Sequence, residues 1–105
     1  MTEKRRFKRI QILATVLIEI HSEVLKVVAY NISQKGLRFV IPMDVKTGDE
    51  VMVNLPAGTQ EEEIKIKSKV VRFQKVKSSA QVCDCGIEFE KEINEDLLND
   101  ILTNF

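Results

Sequence analysis

The chain has 105 residues, of which 44% are apolar and 30% charged. That is one domain's worth of sequence, with enough apolar side chains to build a small core and too many to leave it unfolded by composition. Sixteen Lys and Arg balance sixteen Asp and Glu, which argues against a nucleic-acid binder that is basic on every face but leaves room for a local basic patch.

No stretch of eighteen apolar residues occurs, so no membrane insertion is expected. The charged start lacks the apolar block and small-residue cleavage site of a signal peptide. Cys83 and Cys85 are too few for a disulfide framework, and a reducing, cytoplasmic setting is expected. The charge balances in sum but not in layout. Lys4, Arg5, Arg6, Lys8 and Arg9 crowd the first nine residues against Glu3, whereas the last twenty or so hold seven acids against Lys91.

The basic residues 1–9 read as a flexible N-terminal arm ahead of a domain spanning 10–105. From Ile10 to Ile20 every even position is apolar, the period of a strand with one buried face. His21 to Glu23 reads as a turn, and Val24 to Ile32 as a second strand. Gly36 opens a third, with Leu37, Phe39 and Ile41 on one face and Pro42 as its limit. Val51, Val53 and Leu55 alternate in a fourth, and the Pro56–Thr59 stretch turns the chain. Ile64 and Ile66 share one parity while Val71 and Phe73 share the other, which predicts a bulge near Ser68 in a long fifth strand. Ala80 to Phe89 is a sixth, with Cys83, Cys85, Ile87 and Phe89 on one face. Apolar residues then recur at helical spacing from Ile93 to Phe105, predicting an amphipathic helix over 94–104, with Asn94 as its cap and Glu95 and Asp96 at its positive end. Such a helix must cover its own barrel, a partner, or a second copy of the chain. Six short strands and a terminal helix predict a mainly β fold, a six-stranded antiparallel barrel.

Three motifs stand out. Arg5 and Arg9 bracket an Arg-x-x-x-Arg just before the first strand. Asn31, Ser33 and Gly36 form an Asn-x-Ser-x-x-Gly between the second and third strands. Gly86 sits in the last strand, within Gly-Ile-Glu-Phe. In this order, with this strand pattern, the chain resembles the PilZ domain, a bacterial receptor module for the second messenger cyclic di-GMP. The resemblance runs from Lys4 to the terminal helix. It implies a six-stranded barrel with a C-terminal helix, and cyclic di-GMP as a ligand with no further cofactor. It also implies a site lined by Arg5, Arg9, Asn31, Ser33 and Gly36, with Arg6 beside them and Lys4 and Gly86 next in order. The residue before the Arg-x-x-x-Arg motif, here Lys4, bears in this family on whether one ligand or an intercalated pair is held. Asn31 stands where the family more often has Asp. With only four residues ahead of Arg5, a stand-alone single domain is expected.

The chemistry suits that ligand. Arginine's planar fork matches the adjacent O6 and N7 acceptors of guanine and also grips phosphate. Lysine lacks the fork. Guanine N1–H and N2–H₂ are donors and want an oxygen, which Asn31 offers without charge. Ser33 can bond the ligand or hold the turn, and Gly36 permits a close backbone approach or a positive φ. The sequence holds no Ser-His-Asp set, no phosphate-cradling Gly-Lys loop and no His–carboxylate metal spacing, so a binding module is expected rather than an enzyme. Expected partners are cyclic di-GMP and a downstream protein in motility, exopolysaccharide or biofilm control, with the chain a monomer or homodimer. The alternative is a PilZ-like adaptor that does not bind the nucleotide. An RNA or single-stranded DNA partner is disfavoured, because most of the aromatic residues fall on core-phase positions. Cys83 and Cys85 read as buried reduced thiols and His21 as a turn residue. Lys65, Lys67 and Lys69 read as a solvated stripe.

Overall fold

The computed structural model describes residues 8–56, 63–76 and 82–105. Lys4, Arg5, Arg6 and most of the predicted arm lie outside the described residues, as do residues 80 and 81 of the predicted sixth strand. Period-two alternation of apolar and polar side chains produces β1 (Ile10–Ile20), β2 (Glu23–Ile32), β3 (Gly36–Ile41), β4 (Glu50–Pro56), β5 (Glu63–Lys75) and β6 (Cys83–Phe89). All neighbours are antiparallel, and the strands close into a barrel in the order β1-β2-β3-β6-β5-β4. The inward positions of each strand meet in one core that includes Ile18, Phe39, Ile41, Val53, Leu55, Cys85 and Phe89. Closure leaves no long free edge, which suits a small sheet protein.

The β1–β2 hairpin turns on His21 and Ser22, both with positive φ (51° and 66°), the conformation that two-residue hairpin turns require. His21 Nε2 lies 3.1 Å from Asp49 Oδ2, tying this turn to the β3–β4 connection. In that connection Gly48 adopts φ +97°, where its N–H donates to Val70 O at 2.8 Å.

The bulge in β5 lies at Val71, not near Ser68. Ser68 keeps the inward phase, is buried, and donates its Oγ–H to Ile66 O at 3.2 Å. Val70 is buried too, and the register against β6 shifts between Val70 and Arg72. A small polar residue at an inward position mimicked a parity change in the sequence. Beyond Lys69, β5 outruns β4 and pairs with β6 alone, which leaves Phe73 42% exposed.

The chain ends in α1 (Glu95–Thr103), inside the predicted 94–104. Asn94 Oδ1 accepts from Leu97 N–H at 2.7 Å, and Glu95 and Asp96 occupy the first turn. Leu98 and Ile101 join the barrel's core, so the helix covers its own barrel. Among the described residues no helix is long and apolar enough to cross a membrane.

Candidate functional site

One row of residues crosses five strands. Gln11 on β1 lies opposite Asn31 on β2, Asn31 opposite Arg38 on β3, Arg38 opposite Gly86 on β6, and Gly86 opposite Arg72 on β5. Opposed residues of antiparallel strands project from the same face. All three register shifts in the barrel touch this row, at Gln11/Ala14, Ala29/Asn31 and Val70/Arg72. An extra residue in one strand bends it and re-aims the side chains that follow. The row is therefore where the sheet departs from regular alternation, and it carries an amide and two guanidiniums.

The β2–β3 loop sits beside the row and builds itself from the motif. Ser33 N–H donates to Gly36 O at 2.9 Å, and Ser33 Oγ accepts from Lys35 N–H at 3.1 Å. Ser33 is buried, so its hydroxyl serves the turn first. The loop is also pinned from outside. Phe89 N–H donates to Lys35 O at 2.7 Å, Ile93 N–H donates to Gln34 O at 2.9 Å, and Gln34 Nε2 donates to Ile93 O at 2.9 Å. Three bonds thus join the loop to the end of β6 and the approach to α1. Gly36 is needed for closeness rather than for a positive φ, since a Cβ there would stand 2.1 Å from Ile87 O.

Row and loop border a cleft of about 270 Å³. Of the residues predicted from sequence, Arg9, Asn31, Ser33, Gly36 and Gly86 all line it. Arg5, Arg6 and Lys4 lie outside the described residues. The sequence reading missed Lys35, Arg38, Arg72 and Glu88, which line it as well. Four cations therefore face one carboxylate, a balance that favours an anion. Arg38 had a signal, standing two residues after Gly36 and so on the same strand face. Arg72 had none, because the Val71 bulge shifts its phase.

At the edge of this face Tyr30 O–H donates to Asp84 Oδ1 at 2.5 Å. Burial pushes the Tyr30 phenol up, and its bond to Asp84 and that carboxylate's charge add to this, while Arg38 and Arg9 act against it. Both guanidiniums are thus close enough to be felt there.

A larger cavity of about 660 Å³ lies elsewhere, lined by Glu19, Glu50, Glu88 and Glu90 as well as Lys67 and Lys69. Glu50 is opposite Lys69, which is opposite Glu88, so its charges oppose one another across the strands. A surface richer in carboxylates than in cations suits an anion poorly, and the smaller cleft carries the chemistry. The predicted lysine stripe is partly neutralised, with Lys65 Nζ 3.4 Å from Glu19.

Comparison with known proteins agrees with this architecture. A family model described as PilZ domain matches residues 3–104. No curated protein matches the chain. Among solved structures it is similar to the inhibitor of motility MotI/DgrA of Bacillus subtilis, at 19% identity and a TM-score of 0.71, over 97% of this chain and 50% of that one. It is also similar to the PlzA protein of Borreliella burgdorferi, solved in complex with c-di-GMP, at 15% identity and a TM-score of 0.63, over 92% of this chain and 49% of that one. The chain spans about half the length of these two structures.

Proposed function

The chain belongs to the PilZ domain family, and from that premise we propose that it is a receptor for cyclic di-GMP, held by Arg5, Arg9 and the Asn31–Gly36 loop. Arg6 stands beside them in this reading, and Lys4 and Gly86 at the margin. The reading rests on one observation above the others. Arg9, Asn31, Ser33 and Gly36 border a single cleft whose cations outnumber its one acid.

Each group has a task the ligand needs. Arg9 offers a planar fork for phosphate or for the O6/N7 edge of guanine. Asn31 offers a neutral carbonyl oxygen to guanine N1–H and N2–H₂. Ser33 Oγ already accepts from Lys35 N–H, so what remains for the ligand is its hydroxyl hydrogen. Arg5 and Arg6 add charge from the segment just ahead of β1, and closure of that segment over the nucleotide is the switch in this reading. The rearranged surface then changes how the domain engages a downstream protein in the bacterial cytoplasm. The module binds and signals and performs no catalysis.

Calorimetric titration with cyclic di-GMP tests this, beside GTP and GMP and an Arg9→Ala variant. The expected result is saturable binding at micromolar or tighter affinity, absent for the controls and lost in the variant. No heat with cyclic di-GMP would move the function to a nucleotide-independent adaptor. Hydrogen exchange over residues 1–9 tests the switch, and equal protection with and without ligand would overturn it.

A further inference from the structure

We propose that Arg38 and Arg72, on either side of Gly86, form a second guanidinium pair that takes the O6/N7 edge of a guanine and makes the cleft prefer guanine to adenine. This inference rests on the cyclic di-GMP reading above.

Arg38, Gly86 and Arg72 occupy three adjacent strands in one cross-strand row. Strands lie about 4.8 Å apart, so the two arginine Cα atoms are separated by about 10 Å with a glycine between them. Gly86 keeps the floor of this gap low. A Cβ there would meet Arg38 Nε and Arg72 Cβ at 3.6 Å, ordinary contact, so the space above the glycine is bounded by the two arginine side chains themselves. A flat floor between two forks fits the width and planarity of a purine.

Electrostatics point the same way. Among the described residues no hydrogen bond or ion pair reaches either guanidinium, whereas Lys65 and Lys75 on the same strand as Arg72 each meet a carboxylate. Two neighbouring cations without a partner repel one another, and an outside acceptor relieves both. Guanine presents two adjacent acceptors, while adenine replaces O6 with an amino donor that a guanidinium cannot bond. The pair therefore favours guanine and disfavours adenine at one position. Arg9 and the Asn31 loop, at the other side of the cleft, remain for phosphate and for the donor edge of the base.

The test is titration of the wild type and of Arg38→Ala, Arg72→Ala, Arg38→Lys and Gly86→Ala with cyclic di-GMP and with cyclic di-AMP. Thermal melts confirm that each variant folds. The wild type should prefer cyclic di-GMP. Each arginine variant should lose about tenfold or more for cyclic di-GMP and little for cyclic di-AMP, because a bidentate contact discriminates on that order. Arg38→Lys keeps the charge without the fork and should lose the preference too. Gly86→Ala raises the floor and should weaken cyclic di-GMP without unfolding the barrel. Unchanged affinity in the variants, or equal losses for both ligands, would overturn the inference, the second outcome assigning the guanidiniums to phosphate. A wild type that binds neither ligand would overturn the receptor reading and this inference with it. A wild type that binds while its variants bind equally well would overturn this inference alone.

Discussion

Gly36 approaches the backbone of Ile87 so closely that a Cβ on it would stand 2.1 Å from the Ile87 carbonyl oxygen. The obstacle is backbone rather than the end of a mobile side chain, so one strand must move to make room. Gly36→Ala should therefore disturb the β3–β6 pairing where the motif loop begins, costing about 1–3 kcal/mol, the range of overpacked cores. Gly86→Ala meets its neighbours only at 3.6 Å and should stay within about 0.5 kcal/mol of the wild type. Urea unfolding of the two variants side by side checks this, and equal midpoints would contradict it.

Asn31 faces Arg38 across the β2–β3 pair and shares the cleft with Arg9. Replacing its amide with a carboxylate gives guanine N1–H and N2–H₂ a charged acceptor, and charge-assisted bonds are about twice as strong as neutral ones. Asn31→Asp should tighten cyclic di-GMP binding by about threefold to tenfold, equivalent to roughly 1 kcal/mol. Titration at two ionic strengths measures it. Weaker binding in the variant would mean that the new carboxylate is captured by Arg38 instead.

The strands were legible because each has one buried face and shows a clean period of two. Ile10–Ile20 is the plainest case. The helix was legible from the spacing of Leu97, Leu98, Ile101 and Leu102, and Asn94 is its cap as its side chain suggests. The part of the cleft built by sequence-local motifs could be found in the same way. The part built by pairing could not. Arg38 and Arg72 meet at Gly86 only because β3 and β5 flank β6, and that neighbour relation is not written in any one strand's periodicity. Bulges deepen the difficulty. Val71 takes an extra place in β5 and turns the phase of everything after it, so Phe73, which looked like a core residue, is left 42% exposed.

The cap on α1 offers an independent check of how firmly the helix is held. Asn94→Ala removes the acceptor for Leu97 N–H, an orphan donor of the first turn. The loss should be about 1 kcal/mol, seen as a lower urea midpoint at unchanged slope. The motif loop is bonded to Ile93, next to this cap, through Gln34. Hydrogen exchange should therefore quicken at Ile93 as well as in the helix. A change confined to the helix would show that the Gln34 bonds hold their position without it.

Cys85 supplies the pH prediction. Its side chain is fully buried among Phe39, Ile87 and their neighbours, and burial pushes its thiol up to about 12 from an ordinary value of 9.0, with Cys83 and Asp84 adding to the rise. The folded chain thus keeps this proton where the unfolded chain releases it. Fewer protons bound in the unfolded state means that stability falls as pH rises. The loss should begin near pH 9, where the unfolded thiol ionises, and continue towards pH 12, with no contribution from this group at neutral pH. Cys85→Ala removes the linkage at the cost of a small cavity, so its stability curve above pH 9 should be flatter than the wild type's. Reactivity follows the same logic, because the thiolate is the nucleophile. Iodoacetamide at pH 8 should leave Cys85 unmodified in the native barrel and label it promptly in urea, as mass spectrometry would read. Native labelling at the rate of a free thiol would place Cys85 outside the core.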